Sequence, residues 1–225
     1  MERRAGTTCR YLRAFRTEAL QTFLANPETA FERGSMLKTG NTSTVARLAI
    51  GGHGFIVKRY NVKSFAHRLR LSLKRRSRGR NAWRFGQLLY DAGVPTAHPV
   101  ALLERRRGLL RDTAFLVMQD LGAADLRQAL RQPEAGALQP AWIHAVAEVF
   151  LDLARLRLCH GDTKATNFLV VGDRVALIDL DSMCVDRRGR GIADDVRRFL
   201  ANWRDCPALQ LAFAEAFRDA GLPGV

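Results

Sequence analysis

The sequence predicts an α+β protein of two lobes, a small antiparallel β-sheet lobe with one helix followed by a mostly helical lobe. Three patterns predict it. Short apolar runs divided by glycine- and asparagine-rich turns fill residues 35–60 and 100–118. From Trp142 to Leu156 apolar residues recur every three to four positions, as on a buried helix face. One regime gives way to the other at a short connector, residues 119–122, where a cleft between lobes would place a ligand. A chain of 225 residues has room for two such lobes, and 47% hydrophobic with 26% charged residues excludes disordered and fibrous architectures.

Taken in order, residues 1–34 read as a helical N-terminal extension. Tyr11, Leu12, Phe15, Leu20, Phe23 and Leu24 stand at helical spacing in an Arg-rich stretch. That pattern suits a helix packed on its own domain, a helix lying on a membrane surface, or a segment resembling an organelle transit peptide. Residues 35–118 form the first lobe. Strands are expected at 35–39 and 44–50 around the turn Gly40-Asn41-Thr42-Ser43. A third follows at 55–60, after Gly51-Gly52-His53-Gly54. A basic helix over 63–92 closes at Gly93 with Pro95 beyond. Strands at 100–103 and 114–118 then flank a charged turn at 104–107, which makes five strands in all. Residues 119–225 form the second lobe: a short helix at 123–131, a long one opened by Pro140, a polar loop at 159–167, a hairpin around Gly172-Asp173, and helices at 192–203 and 208–220.

Charge is unevenly spread. Lys+Arg is 36 against 22 Asp+Glu, a formal charge of +14. Residues 33–90 hold 14 of those basic residues and no acid, so the whole excess sits in one block. Such a field predicts an anionic partner: a phosphorylated molecule, an anionic membrane face or, less favoured, nucleic acid. Four cysteines, Cys9, Cys159, Cys184 and Cys206, stand far apart without a CxxC pair, which argues against a zinc site or a disulfide framework and suits a reducing compartment. No apolar run approaches the 18 or so residues of a membrane-spanning helix.

The chemistry-bearing pattern is H-G-D-x-K-x-x-N at residues 160–167, then a hairpin, then I-D-x-D at residues 178–181. Phosphoryl transfer accounts for each residue type, because its transition state asks the protein for positioning and charge neutralisation. Asp162 would accept the proton of an attacking hydroxyl, and Lys164 would offset charge on the moving group. Asn167 and Asp179 would offer hard oxygens to Mg²⁺. His160 would brace the loop. Asp181 reads equally as a second metal ligand or a bracing partner. One carboxylate of Asp194-Asp195 is expected to cap the following helix.

These motifs resemble the catalytic and metal-binding loops of the protein-kinase-like fold, with Gly161 where protein kinases carry Arg. The H-G-D form is similar to the aminoglycoside and choline kinase branch, and most of all to bacterial kinases of the lipopolysaccharide inner core. Ala92-Gly93-Val94-Pro95-Thr96-Ala97-His98-Pro99-Val100 resembles their A-G-[IV]-P-T-P-x-P-[VL] segment, and residues 177–181 resemble their L-I-D-[LF]-D. The likeness runs from about residue 36 to 204. It implies ATP and Mg²⁺ as cofactors, a heptose or Kdo hydroxyl as acceptor, and work at the cytoplasmic face of an inner membrane, with possible peripheral contact there. By the same resemblance Gly40, Thr42, Ser43 and Val45 line the nucleotide phosphates, Lys58 binds them, and Asp195 braces the catalytic loop.

Two departures stand out. The phosphate loop keeps only Gly40 among its glycines. The acid-free stretch also supplies no helix glutamate for Lys58, which then pairs with Asp179, with phosphate, or with a carboxylate such as Glu104. A protein or small-molecule kinase, or a catalytically silent kinase-like binding module, are the alternatives. Arg187, Arg188 and Arg190 after the catalytic loop favour an anionic acceptor over a cationic antibiotic.

Overall fold

The computed structural model describes residues 2–4, 6–62, 64, 69, 72, 77–132 and 135–225. Of the basic run, Lys63, Arg68, Arg70, Lys74, Arg75 and Arg76 lie outside the described residues, as does most of the helix expected before residue 77. The chain forms two compact units, Met1–Gln87 with Ala97–Asp120, and Leu88–Thr96 with Leu121–Val225.

The first unit is built on an antiparallel sheet of seven strands rather than five. They are β1 (Glu2–Arg4), β2 (Thr7–Tyr11), β3 (Ser35–Thr39), β4 (Ser43–Ile50), β5 (His53–Tyr60), β6 (Pro99–Arg107) and β7 (Leu110–Gln119). Their order across the sheet is β1-β2-β6-β7-β5-β4-β3. The two additional strands come from residues expected to be helical. Thr7–Tyr11 lacks helical periodicity and pairs with β6, Cys9 opposite Leu103. The turn expected at residues 104–107 is also displaced. β6 and β7 run on through those charged residues and reverse at Gly108, whose φ of +61° suits glycine.

Directly paired residues share a face of a sheet, so the register sorts the side chains. Ala46, Val57 and Val117 lie on one face, with Phe55, Phe115 and Leu103. Helices α1 (Glu18–Ala25) and α2 (Pro27–Glu32) pack Leu20, Phe23, Leu24 and Phe31 into the same core. Thr17 caps α1 by accepting the Leu20 N–H at 3.2 Å, and Pro27 opens α2. The N-terminal segment is therefore half of a core. Of the expected readings, packing on its own domain is the one observed.

The opposite face carries Lys58, Tyr60, Leu102 and Glu104, and α3 (Arg78–Asp91) packs on it. A Cβ at Gly79 would come 3.0 Å from the Tyr60 ring and 3.1 Å from Leu102, so glycine permits the close approach. Ser77 caps α3 by accepting the Arg80 N–H at 3.0 Å while donating to Glu104 at 2.5 Å.

In the second unit come α4 (Leu126–Ala129), α5 (Ala135–Arg155), β8 (Leu158–Cys159), the hairpin β9 (Phe168–Val171) and β10 (Arg174–Leu177), β11 (Cys184–Val185), α6 (Gly191–Leu200) and α7 (Pro207–Asp219). Pro140 does not open α5 but lies inside it as its sixth residue, past the first turn, where the helix forgoes the i−4 bond to the Gly136 carbonyl. The core is aromatic: Phe199 meets Phe150, Phe168, Phe213 and Phe217 at centroid separations of 4.9–5.6 Å. Four elements, α5, β9, α6 and α7, meet in that cluster, so the loop preceding β9 stands on a packed base.

Candidate functional site

β8 ends at Cys159, and the polar loop begins at His160, which is fully buried. Its backbone N–H donates to the Asp195 carboxylate at 2.5 Å, and that of Gly161 to the same carboxylate at 3.0 Å. Burial pushes the Asp195 carboxyl up, partly offset by these donors and by Arg198 at 2.8 Å. Thr163, also fully buried, donates its hydroxyl to the Asp195 carbonyl at 2.7 Å, and Asn202 donates to the Thr163 carbonyl at 3.2 Å. Asp195 of α6 thus holds the loop at His160, Gly161 and Thr163.

Gly161 has φ of +79°, and a Cβ there would lie 3.0 Å from the Ser182 carbonyl. Glycine stands in place of arginine because the loop takes a left-handed step against the 3-10 turn Leu180–Ser182.

The His160 ring ties the loop to the second acidic cluster. Its Nδ1 accepts the Asp162 N–H at 3.3 Å, and its Nε2 lies 3.0 Å from the Ile178 carbonyl, so the neutral Nε2–H tautomer satisfies both. Ile178 is held again through its own N–H, which donates to the Asn167 carbonyl at 2.9 Å. The Asn167 side chain donates Nδ2 to the Asp162 carbonyl at 2.8 Å, which leaves its Oδ1 as the acceptor end of the amide. Asp162, Asn167 and Ile178 are therefore knit together through the His160 ring, the Asn167 amide and one backbone bond, with Asp179 next in the chain. Asp179 itself is half-buried with φ of +60° and ψ of +54°, a left-handed position that Asp tolerates better than most residues.

Asp162 is half-buried and pairs with the exposed Lys164 at 3.0 Å. Asp181 is buried within its short 3-10 turn. Among the described residues no cluster of three or more His, Cys, Asp or Glu could hold a metal. The donor set that fits Mg²⁺ is smaller, the Asn167 amide oxygen and the Asp179 carboxylate. That suits an ion that takes few protein ligands and completes its shell with phosphate and water.

The segment Gly93-Val94-Pro95-Thr96 supports the same strand end. Pro95 accepts the Leu177 N–H at 2.9 Å, and the Thr96 hydroxyl donates to the Leu177 carbonyl at 2.7 Å, two residues before Asp179. The expected helix cap is corrected. Asp186, not Asp194 or Asp195, accepts the N–H groups of Gly191 and Ile192 at the start of α6. Burial opposes its ionisation, and its backbone donors outweigh this, holding the carboxyl below the usual range. Asp194 pairs instead with Arg197.

In the first unit the nucleotide candidates fall around one face of the sheet. Val45 is paired with Lys58, and Ser43 with Tyr60. Lys58 is buried, its Nζ 5.4 Å above the Tyr60 ring. Gly40 and Thr42 lie in the β3–β4 turn, which Asn61 staples: its N–H donates to the Thr42 carbonyl at 3.0 Å and its Nδ2 to the Gly40 carbonyl at 2.9 Å. Glu104, one carboxylate considered for Lys58, accepts from Ser77 and from Arg80 at 2.6 Å. Thr96, Thr163, Asp186 and Asn61 were not singled out in the sequence. Only Thr96 and Thr163 carried a signal, standing inside recognisable motifs.

The family described as the lipopolysaccharide kinase (Kdo/WaaP) family matches residues 22–206. No curated protein sequence matches the chain. Among solved structures, one described as WaaP in complex with acyl carrier protein superimposes with a TM-score of 0.64 at 22% identity, over 94% of this chain and 89% of that one. At that identity the likeness speaks for the fold.

Proposed function

Because the chain belongs to the lipopolysaccharide kinase (Kdo/WaaP) family, we propose that this kinase transfers the γ-phosphoryl group of ATP to a heptose or Kdo hydroxyl of the lipopolysaccharide inner core. Asp162 accepts the hydroxyl proton as the oxygen attacks phosphorus. Lys164, already beside Asp162, offsets charge on the phosphoryl oxygens. Lys58 contacts the nucleotide phosphates, with Gly40, Thr42, Ser43 and Val45 lining them. Asn167 and Asp179 would hold Mg²⁺, which when bound supplies positive charge to the phosphates. Asp181 and Asp195 support the loop.

The observation that supports this reading is the bonding of His160 and Asn167 to Ile178, which ties the loop carrying Asp162 and Asn167 to the chain just before Asp179. The test is incubation with labelled ATP, Mg²⁺ and a panel of lipopolysaccharide core, a generic protein and an aminoglycoside. Label should enter the core. Asp162→Ala should lower turnover about 10²–10⁴-fold, the usual weight of a general base. Label in the protein or the aminoglycoside would instead support the alternative acceptors, and none at all a silent binding module.

The acceptor is lipid-linked on this reading, and the basic excess of the chain suits its anionic groups and the anionic inner face of a membrane. The described residues include no helix long and apolar enough to cross a membrane, and the contact this reading proposes is peripheral, at the cytoplasmic face where ATP is supplied. The neighbour's complex with acyl carrier protein supports a second kind of partner, a carrier protein, which size-exclusion of an equimolar mixture would reveal.

A further inference from the structure

Two of the four cysteines meet in the second unit. Cys159 on β8 and Cys184 on β11 are direct partners in the antiparallel register, and their sulfurs lie 3.0 Å apart. Both kinds of antiparallel pair hold their Cα atoms within the 4.4–6.8 Å or so that a disulfide spans. No backbone movement is needed to join them. The two sulfurs differ in access. Cys159 is buried, with α6 beginning against it: a Cβ at Gly191 would lie 2.7 Å from the Cys159 Cβ and 2.8 Å from its sulfur. Cys184 is exposed.

We propose that Cys159 and Cys184 form a redox-modification site, a dithiol that closes to a disulfide around the catalytic loop when it meets a low-molecular-weight disulfide such as oxidised glutathione. The exposed Cys184 thiolate attacks one sulfur of that disulfide. Its S–S bond breaks, one glutathione thiolate leaves, and a mixed disulfide remains on Cys184. Cys159 loses its proton to solvent and attacks the Cys184 sulfur, and the second glutathione thiolate leaves. Two cysteine thiols are oxidised and one glutathione disulfide is reduced to two thiols. The order follows from access and from acidity, since burial and the Cys184 hydrogen bond push the Cys159 thiol up to about 12.

The ring so closed contains Asp162, Lys164, Asn167 and Asp179. It links the strand that leads into the loop to the strand that follows the second acidic cluster. The proposal does not depend on which acceptor is phosphorylated, nor on activity at all.

The test uses the full chain, reduced and then exposed to oxidised glutathione, trapped with N-ethylmaleimide and read by intact mass and non-reducing peptide mapping. Wild type should lose the mass of two hydrogens, yield one linked peptide pair containing Cys159 and Cys184, and melt about 5–10 °C higher until dithiothreitol reverses it. Cys184→Ser should keep three free thiols. Cys159→Ala should stop at a glutathione adduct on Cys184. Four free thiols in wild type, a stable adduct there, or a linkage through Cys9 or Cys206 would each overturn the proposal. The two variants also separate a missing bond from a misfolded chain, because each must retain the thermal transition of the reduced protein.

Discussion

Asp195 holds Gly161 and its neighbour His160 by their backbone N–H groups, at 3.0 and 2.5 Å, so a carboxylate on α6 sets the conformation of a loop 34 residues away in sequence. Removing it leaves two donors without partners in a closed site. Asp195→Ala should cost about 2–4 kcal/mol of stability and depress turnover further than that loss explains. Urea denaturation beside steady-state kinetics checks it. Unchanged turnover in a folded variant would deny Asp195 its positioning role.

The same carboxyl has a pH signature. Burial raises its folded value above the ordinary carboxylate range, so the native state binds its proton more tightly than the unfolded chain. Its contribution to stability is greatest below the unfolded value and is lost as pH rises through the raised one. Denaturant midpoints across that interval should show a falling component that Asp195→Asn lacks.

Gly161 is the second hinge of this geometry. Gly161→Arg, which restores the lettering of protein kinases, forces a side chain into the left-handed region against the Ser182 carbonyl. It should destabilise by about 1–3 kcal/mol and lower activity. A variant as stable and active as wild type would show that the loop can take another path.

Cys159 predicts alkaline behaviour. The unfolded thiol ionises near 9.0, whereas the folded one keeps its proton to about 12. Between those values the unfolded state holds fewer protons, so stability must fall as pH rises. The fall should be shallower in Cys159→Ala. At pH 8 iodoacetamide should label Cys184 well before Cys159, as peptide mapping would show.

The N-terminal helices make a separate prediction. Phe31 is fully buried and meets Phe115 edge-on at 5.9 Å. Phe31→Ala should cost about 3–5 kcal/mol, a penalty expected of core and not of a membrane-lying extension. Thermal melts in the absence of lipid distinguish the two.

What the sequence determined by itself was local or patterned. The strand and helix periodicities placed most elements within a few residues, because each reports one buried face of one element. H-G-D-x-K-x-x-N and I-D-x-D pointed to phosphoryl transfer, since a loop's chemistry is written in adjacent residues, and the family match agrees. What the tertiary structure decided was pairing across distance. Thr7–Tyr11 became a sheet strand only because β6 offered it an edge. Residues 18–32 became core because one sheet face needed covering. Asp186 displaced Asp194 and Asp195 as the helix cap because a turn brought it to the Gly191 amide. Cys159 and Cys184, far apart in the chain, became neighbours because β8 and β11 lie in register. Hydrogen bonds and burial act over a few ångströms of space, and a linear pattern carries no record of which distant residues the fold brings within that range.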